Sequence, residues 1–91
     1  MLGMLGGGQL GRFFVIAAQN IGYQVTVLDP DKNSPAGAIA DVHICAGYED
    51  ILALTKMKET CLAVTTEFEN IPATTLEFLE EGLIVRPSSK A

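Results

Sequence analysis

The sequence predicts an α/β fold, a mainly parallel sheet with helices on both faces. Two observations predict it. Short apolar or β-branched runs alternate with segments of helical periodicity along the chain, the pattern of parallel strands joined by crossover helices. A glycine-rich turn, Gly6-Gly7-Gly8-Gln9-Leu10-Gly11, follows the first apolar run and opens the first helix. That is the context in which G-x-G-x-x-G carries meaning. Right-handed crossovers then give a Rossmann-like half. The expected strand order is 3-2-1-4, with the last strand beside the fourth.

Met1 to Leu5 reads as the first strand. Glycine at Gly6, Gly8 and Gly11 permits backbone angles closed to other residues and lets a ligand approach the peptide N–H groups. Those donors stand at a helix N-terminus, where the first N–H groups lack helical partners and the dipole is positive, which suits an anion. The first helix runs from about Leu10 to Ile21. Leu10, Phe13, Phe14, Ala17, Ala18 and Ile21 form its expected core stripe, and Gly22 ends it. Arg12, in the first turn, could reach a phosphate or simply be solvated. Gln24 to Leu28 is the second strand, closed by Asp29-Pro30 and a polar loop. A short helix covers Ala36 to Ala40. Val42 to Cys45 is a third strand, with His43 expected on its solvent face. The third helix spans about Asp50 to Thr60, acids first and Lys56 and Lys58 later, as the dipole favours. Cys61 to Thr66 is the fourth strand. After Glu67-Phe68-Glu69-Asn70, a helix starts at Pro72 and closes at Gly82. Leu83 to Val85 is the last strand, so the domain covers 1–86, and 87–91 is a departing linker.

Ninety-one residues, 48% of them apolar, make one small domain with a core of its own. A net charge of −5 without a Lys/Arg cluster argues against nucleic acid and acidic membrane surfaces as partners. No apolar run reaches the ~20 residues of a membrane span, and no signal-peptide pattern opens the chain. Cys45 and Cys61 lie in apolar runs without C-x-x-C spacing. They read as small core residues in a reducing, cytoplasmic setting. No disulfide is expected, because the strand order sets them three strands apart. No residue set suggests a metal site, and none reads as catalytic.

In this topology the ligand crevice lies beyond the carboxyl ends of strands one and four, where the winding reverses. The glycine turn and Glu67, nearly sixty residues apart, should meet there. The turn offers donors to a phosphate, and Glu67 offers acceptors to hydroxyls or an amine. Glu69 reads as solvated. Asp29 supports a competing view. An acid at the end of strand two holds the adenosine ribose in dinucleotide folds. Its spacing of 23 from Gly6 is near the ~20 such folds show, so an NAD- or nucleotide-binding module stays open.

The motifs Gly6-Gly7-Gly8-Gln9-Leu10-Gly11-Arg12, Val27-Leu28-Asp29-Pro30-Asp31, Asn33-Ser34-Pro35-Ala36, Ala40-Asp41-Val42-His43, Thr66-Glu67-Phe68-Glu69-Asn70-Ile71-Pro72 and Val85-Arg86-Pro87-Ser88 together resemble the N-terminal domain of the 5-(carboxyamino)imidazole ribonucleotide synthases. These are ATP-grasp enzymes of purine biosynthesis, also known as the ATPase subunit of phosphoribosylaminoimidazole carboxylase. The resemblance implies an ATP-dependent carbon–nitrogen ligase. ATP and bicarbonate give a carboxyphosphate-type intermediate that carboxylates the exocyclic amine of aminoimidazole ribonucleotide. It implies that Gln9, Leu10 and Glu67 contact that ribonucleotide, and the glycine turn adds Gly7 and Gly8 to the expected substrate-binding residues. It also implies that ATP and Mg bind mainly outside this chain, and that the full-length enzyme is a homodimer. Two departures stand out. Phe13-Phe14 replaces the methionine-led start of the first helix common in the family. The chain also stops at Ala91, where the ATP-grasp segment would begin, so alone it is expected to be inactive.

Overall fold

A computed structural model describes residues 1–66, 73–82 and 84–86. Glu67, Glu69 and the linker expected at 87–91 lie outside the described residues. Five strands and four helices alternate: β1 (Leu2–Leu5), α1 (Gln9–Asn20), β2 (Val25–Leu28), α2 (Pro35–Ile39), β3 (Val42–Ile44), α3 (Ile51–Thr60), β4 (Ala63–Thr66), α4 (Ala73–Glu80) and β5 (Ile84–Arg86). The sheet order is β3-β2-β1-β4-β5, and every pairing is parallel. This is the expected order, including the placement of the last strand.

The central strands read as continuous apolar runs because both faces are covered. Side chains alternate across the pleat. Met4, Val25 and Val27 join Val15 and Ala18 of α1 and Ala36 of α2 in one cluster. Leu5, Leu28 and Val64 join Ala53, Leu54 and Met57 of α3 and Leu79 of α4 in the other. Gly3 in β1 is needed for that second face, since a Cβ there would lie 2.7 Å from Val64 Cγ2 and 2.8 Å from Met57 Cε.

Local chemistry sets the helix ends. Ser34 caps α2 by accepting the Gly37 N–H at 3.1 Å, with Pro35 in the first turn where its missing N–H costs nothing. Asp50 caps α3, accepting the Ala53 N–H at 3.2 Å. The acids therefore precede α3 and do not form its first turn. Gly22 (φ 99°) takes the left-handed conformation that ends α1, and the Ile21, Gly22 and Tyr23 N–H groups close on the Ala18 and Gln19 carbonyls.

Three expectations are corrected. The buried face of α1 is Gly11, Val15 and Ala18. Leu10, Phe13 and Ile21 of the expected stripe are 65%, 61% and 74% exposed; Phe14 is partly buried against the α1 cluster. The small residues face inward because α1 must lie close to the glycine turn: a Cβ on Gly11 would stand 2.6 Å from the Gly6 carbonyl oxygen. His43 is half-buried and not on an open face. Its ring sits over Gly37, where the missing side chain leaves room, and Nε2 is 3.3 Å from the Asp29 carbonyl oxygen. Cys45 is exposed, beyond the end of β3, with its thiol donating to the Pro30 carbonyl at 3.3 Å. Only Cys61 is a core residue.

Candidate functional site

The winding reverses between β1 and β4. Leu5 pairs with Thr66 across that junction and with Leu28 on the other side. Leu5, Thr66 and Leu28 therefore end their strands side by side at the carboxyl edge of the sheet. The glycine turn follows Leu5 and Asp29 follows Leu28; Glu67, next after Thr66 in sequence, lies outside the described residues.

The turn is built one peptide at a time. Gly6 still donates to the Leu28 carbonyl at 2.9 Å, as a ladder residue would. Its φ of 102° then swings the chain out of the sheet, an angle that favours glycine. The next N–H, on Gly7, is buried and needs an acceptor. Asp29 Oδ2 accepts it at 2.7 Å, and the Gly7 carbonyl accepts the Ala36 N–H at 2.8 Å. A side chain on Gly7 would stand 2.6 Å from Ser34 Oγ, so the close approach of the α2 loop requires glycine here. Gly8 then forms the N-cap of α1, with no side-chain cap. Gln9 and Leu10 follow in the first turn, both exposed.

The sequence-derived site residues thus divide. Gly8, Gln9 and Leu10 sit together at the exposed start of α1. Gly7 lies beneath them with its N–H and its carbonyl both engaged inside the protein, so it shapes the turn by lacking a side chain. Arg12 continues the same helix, its N–H bonded to the Gly8 carbonyl at 2.9 Å.

Asp29 is the residue whose role the sequence did not disclose. Oδ2 also accepts from the Tyr48 hydroxyl at 3.2 Å, and Oδ1 accepts the Asp31 N–H at 2.8 Å. Its own N–H donates to the Ile44 carbonyl at 3.2 Å. Both carboxylate oxygens thus accept from protein donors, Oδ2 from part-buried ones and Oδ1 from the exposed Asp31 N–H, whereas in a dinucleotide fold this acid receives ribose hydroxyls. One signal could have located it: a buried N–H just past a left-handed glycine requires an acceptor, and Asp29 directly follows the strand partner of Leu5.

The family description "Ribonucleotide synthetase preATP-grasp domain" matches the chain over residues 1–91. The chain belongs to this family. The N5-carboxyaminoimidazole ribonucleotide synthase of Bacillus subtilis (strain 168) is 44% identical over 81 residues, 89% of this chain and 21% of that protein. The synthase of Brucella melitensis biotype 1 is 38% identical over 90 residues, 99% of this chain and 25% of its own length. Among solved structures, the synthetase of Thermus thermophilus superposes with a TM-score of 0.91 at 37% identity, covering 99% of this chain and 25% of that one. An Aspergillus clavatus synthase, solved in complex with ADP and 5-aminoimidazole ribonucleotide, has a TM-score of 0.83 at 37% identity and covers 98% of this chain and 24% of its own. This preATP-grasp domain spans about a quarter or less of the length of these relatives. No helix among its described residues is long and apolar enough to cross a membrane.

Proposed function

We propose that this domain is the ribonucleotide-binding part of an ATP-dependent ligase that carboxylates aminoimidazole ribonucleotide with bicarbonate in purine biosynthesis. The observation that carries the reading is the pairing of Leu5 with Thr66. It sets the end of β4 beside the end of β1, from which the glycine turn leaves, at the edge where such sheets bind ligands. The start of α1, with Gly8 to Leu10 over Gly7, receives the phosphate end through backbone donors. Glu67 accepts from the donor end of the same ligand. Residues 1–86 form the substrate domain, and 87–91 lead toward the ATP-grasp segment. Among the described residues no three His, Cys, Asp or Glu side chains cluster as a metal site would. The family resemblance assigns ATP and Mg mainly outside this chain, where they would drive the carboxylation. The full-length protein is read as a cytoplasmic homodimer.

Titrating this chain with aminoimidazole ribonucleotide, followed by amide NMR, tests the reading. Saturable shifts at Gly8, Gln9 and Leu10 are expected, with no saturable response to NADH. Saturable NADH binding without a response to the ribonucleotide would replace it with the dinucleotide alternative. In the full-length enzyme, Glu67→Gln should lower kcat/KM for the ribonucleotide by roughly tenfold to a hundredfold, the loss of a charged hydrogen bond. KM for ATP should stay nearly constant.

A further inference from the structure

We propose that Asp29 is a positioning residue that holds the glycine turn in its ligand-binding shape, and that Tyr48 ties this hold to the loop after β3. The proposal rests on the reading of the turn as a ribonucleotide site.

The geometry points there by elimination of freedom. Two successive peptide groups precede the α1 N-cap. The first, between Gly6 and Gly7, is fixed at its N–H by Asp29 Oδ2 at 2.7 Å. The second, between Gly7 and Gly8, is fixed at its carbonyl by the Ala36 N–H at 2.8 Å. In a trans peptide the N–H points opposite to the carbonyl, so the Gly8 N–H is directed away from α2. A run of three glycines has more backbone freedom than any other tripeptide. Without these two anchors the turn would sample many shapes, and ordering it would count against every ligand.

Only a carboxylate satisfies what surrounds Asp29. The Gly7 N–H and the Tyr48 hydroxyl approach Oδ2, and the Asp31 N–H approaches Oδ1. An ionised carboxylate accepts at both oxygens and donates nowhere. An asparagine in its place must turn its amide NH₂ toward one donor or the other, and either choice breaks a bond. Tyr48 adds reach. It lies between β3 and α3, and its backbone carbonyl accepts from Thr75 Oγ1 of α4 at 2.7 Å. The glycine turn is thus braced against elements on the far side of the sheet.

Amide hydrogen exchange of this chain, read at Gly7 and at the amides of β1 and β2, tests the hold without any ligand. In Asp29→Ala, which leaves no acceptor for the Gly7 N–H, Gly7 exchange should accelerate at least tenfold while the strand amides keep their protection. The dissociation constant for aminoimidazole ribonucleotide should rise roughly tenfold to a hundredfold, as for a lost charged hydrogen bond. Tyr48→Phe should move both readings the same way by a few-fold. It also serves as the test if the alanine variant does not fold. Unchanged Gly7 exchange in a folded Asp29→Ala, or in Tyr48→Phe if that is the variant available, overturns the proposal. If the unsubstituted chain binds no ribonucleotide, the functional reading fails and the Gly7 exchange still decides the positioning role.

Discussion

Gly11→Ala sets two known effects against each other at one atom. Alanine is the better helix former by about 1 kcal/mol, and α1 would gain that much if the site had room. It does not. The new Cβ would lie 2.6 Å from the Gly6 carbonyl oxygen and 3.4 Å from Ala36 Cβ. The oxygen cannot retreat freely, because it shares a peptide group with the Gly7 N–H that Asp29 holds at 2.7 Å. Forcing a methyl onto a fixed neighbour costs about 1–3 kcal/mol, and rotating that peptide also weakens a hydrogen bond to a charged acceptor. With about 1 kcal/mol for that weakened bond, a net loss of about 2 kcal/mol is expected after the helix gain. For a domain of this size each kcal/mol shifts Tm by about 4–8 °C, so Tm should fall by roughly 8–16 °C. Calorimetry of the chain beside Gly47→Ala isolates the cause. Nothing lies within 4 Å of a Cβ at Gly47 and its φ is not positive, so that variant should match or slightly exceed the parent. A Gly11→Ala protein with Tm at or above the parent would refute the close-approach argument and leave propensity alone in control.

The two thiols should behave differently. Exposed Cys45 should react with a neutral-pH thiol reagent in the native protein. Cys61, whose thiol burial pushes up, should react only after denaturation; two fast thiols, or none in denaturant without reductant, would contradict the placement. Asp41 gives a pH prediction. The Val25 N–H at 2.7 Å, then Gln19 Nε2 at 3.2 Å, hold its carboxyl below the ordinary 3.8. The fold thus favours the charged form, so the contribution is present above 3.8 and is lost as pH falls through the lowered folded value. Asp41→Asn should flatten that part of the curve, seen as a smaller drop in urea midpoint from about pH 6 to about pH 3. An unchanged drop would show that these bonds do not act through ionisation.

The strands and their order were legible because alternation and crossover handedness leave few arrangements for a chain this short. The glycine turn was legible because its sterics are local. The inward face of α1 was not. Phe13-Phe14-Val15-Ile16-Ala17-Ala18 is apolar in every direction, so periodicity alone admits more than one stripe. The choice was made by the approach of Gly11 to Gly6, a tertiary contact. The half-burial of His43 likewise depends on space left by Gly37, which is distant from any strand pattern. Asp29 was noticed for its spacing, but its direction follows from the left-handed angle at Gly6 and the stranded N–H behind it. Glu67 lies outside the described residues, and the pairing of Leu5 with Thr66 supports its proposed position only through the chain leaving β4.

The lengths of the strands carry a consequence for behaviour at high concentration. The three inner strands have four residues each, and the two outer ones, β3 and β5, have three. A sheet border exposes unpaired peptide groups that can recruit another molecule strand by strand, and the hazard grows with the length of flat border on offer. Among the described residues each border strand is three residues long. Two molecules meeting edge to edge would find too few rungs to zip together. The sheet can therefore be richly apolar within and still give its neighbours little to copy.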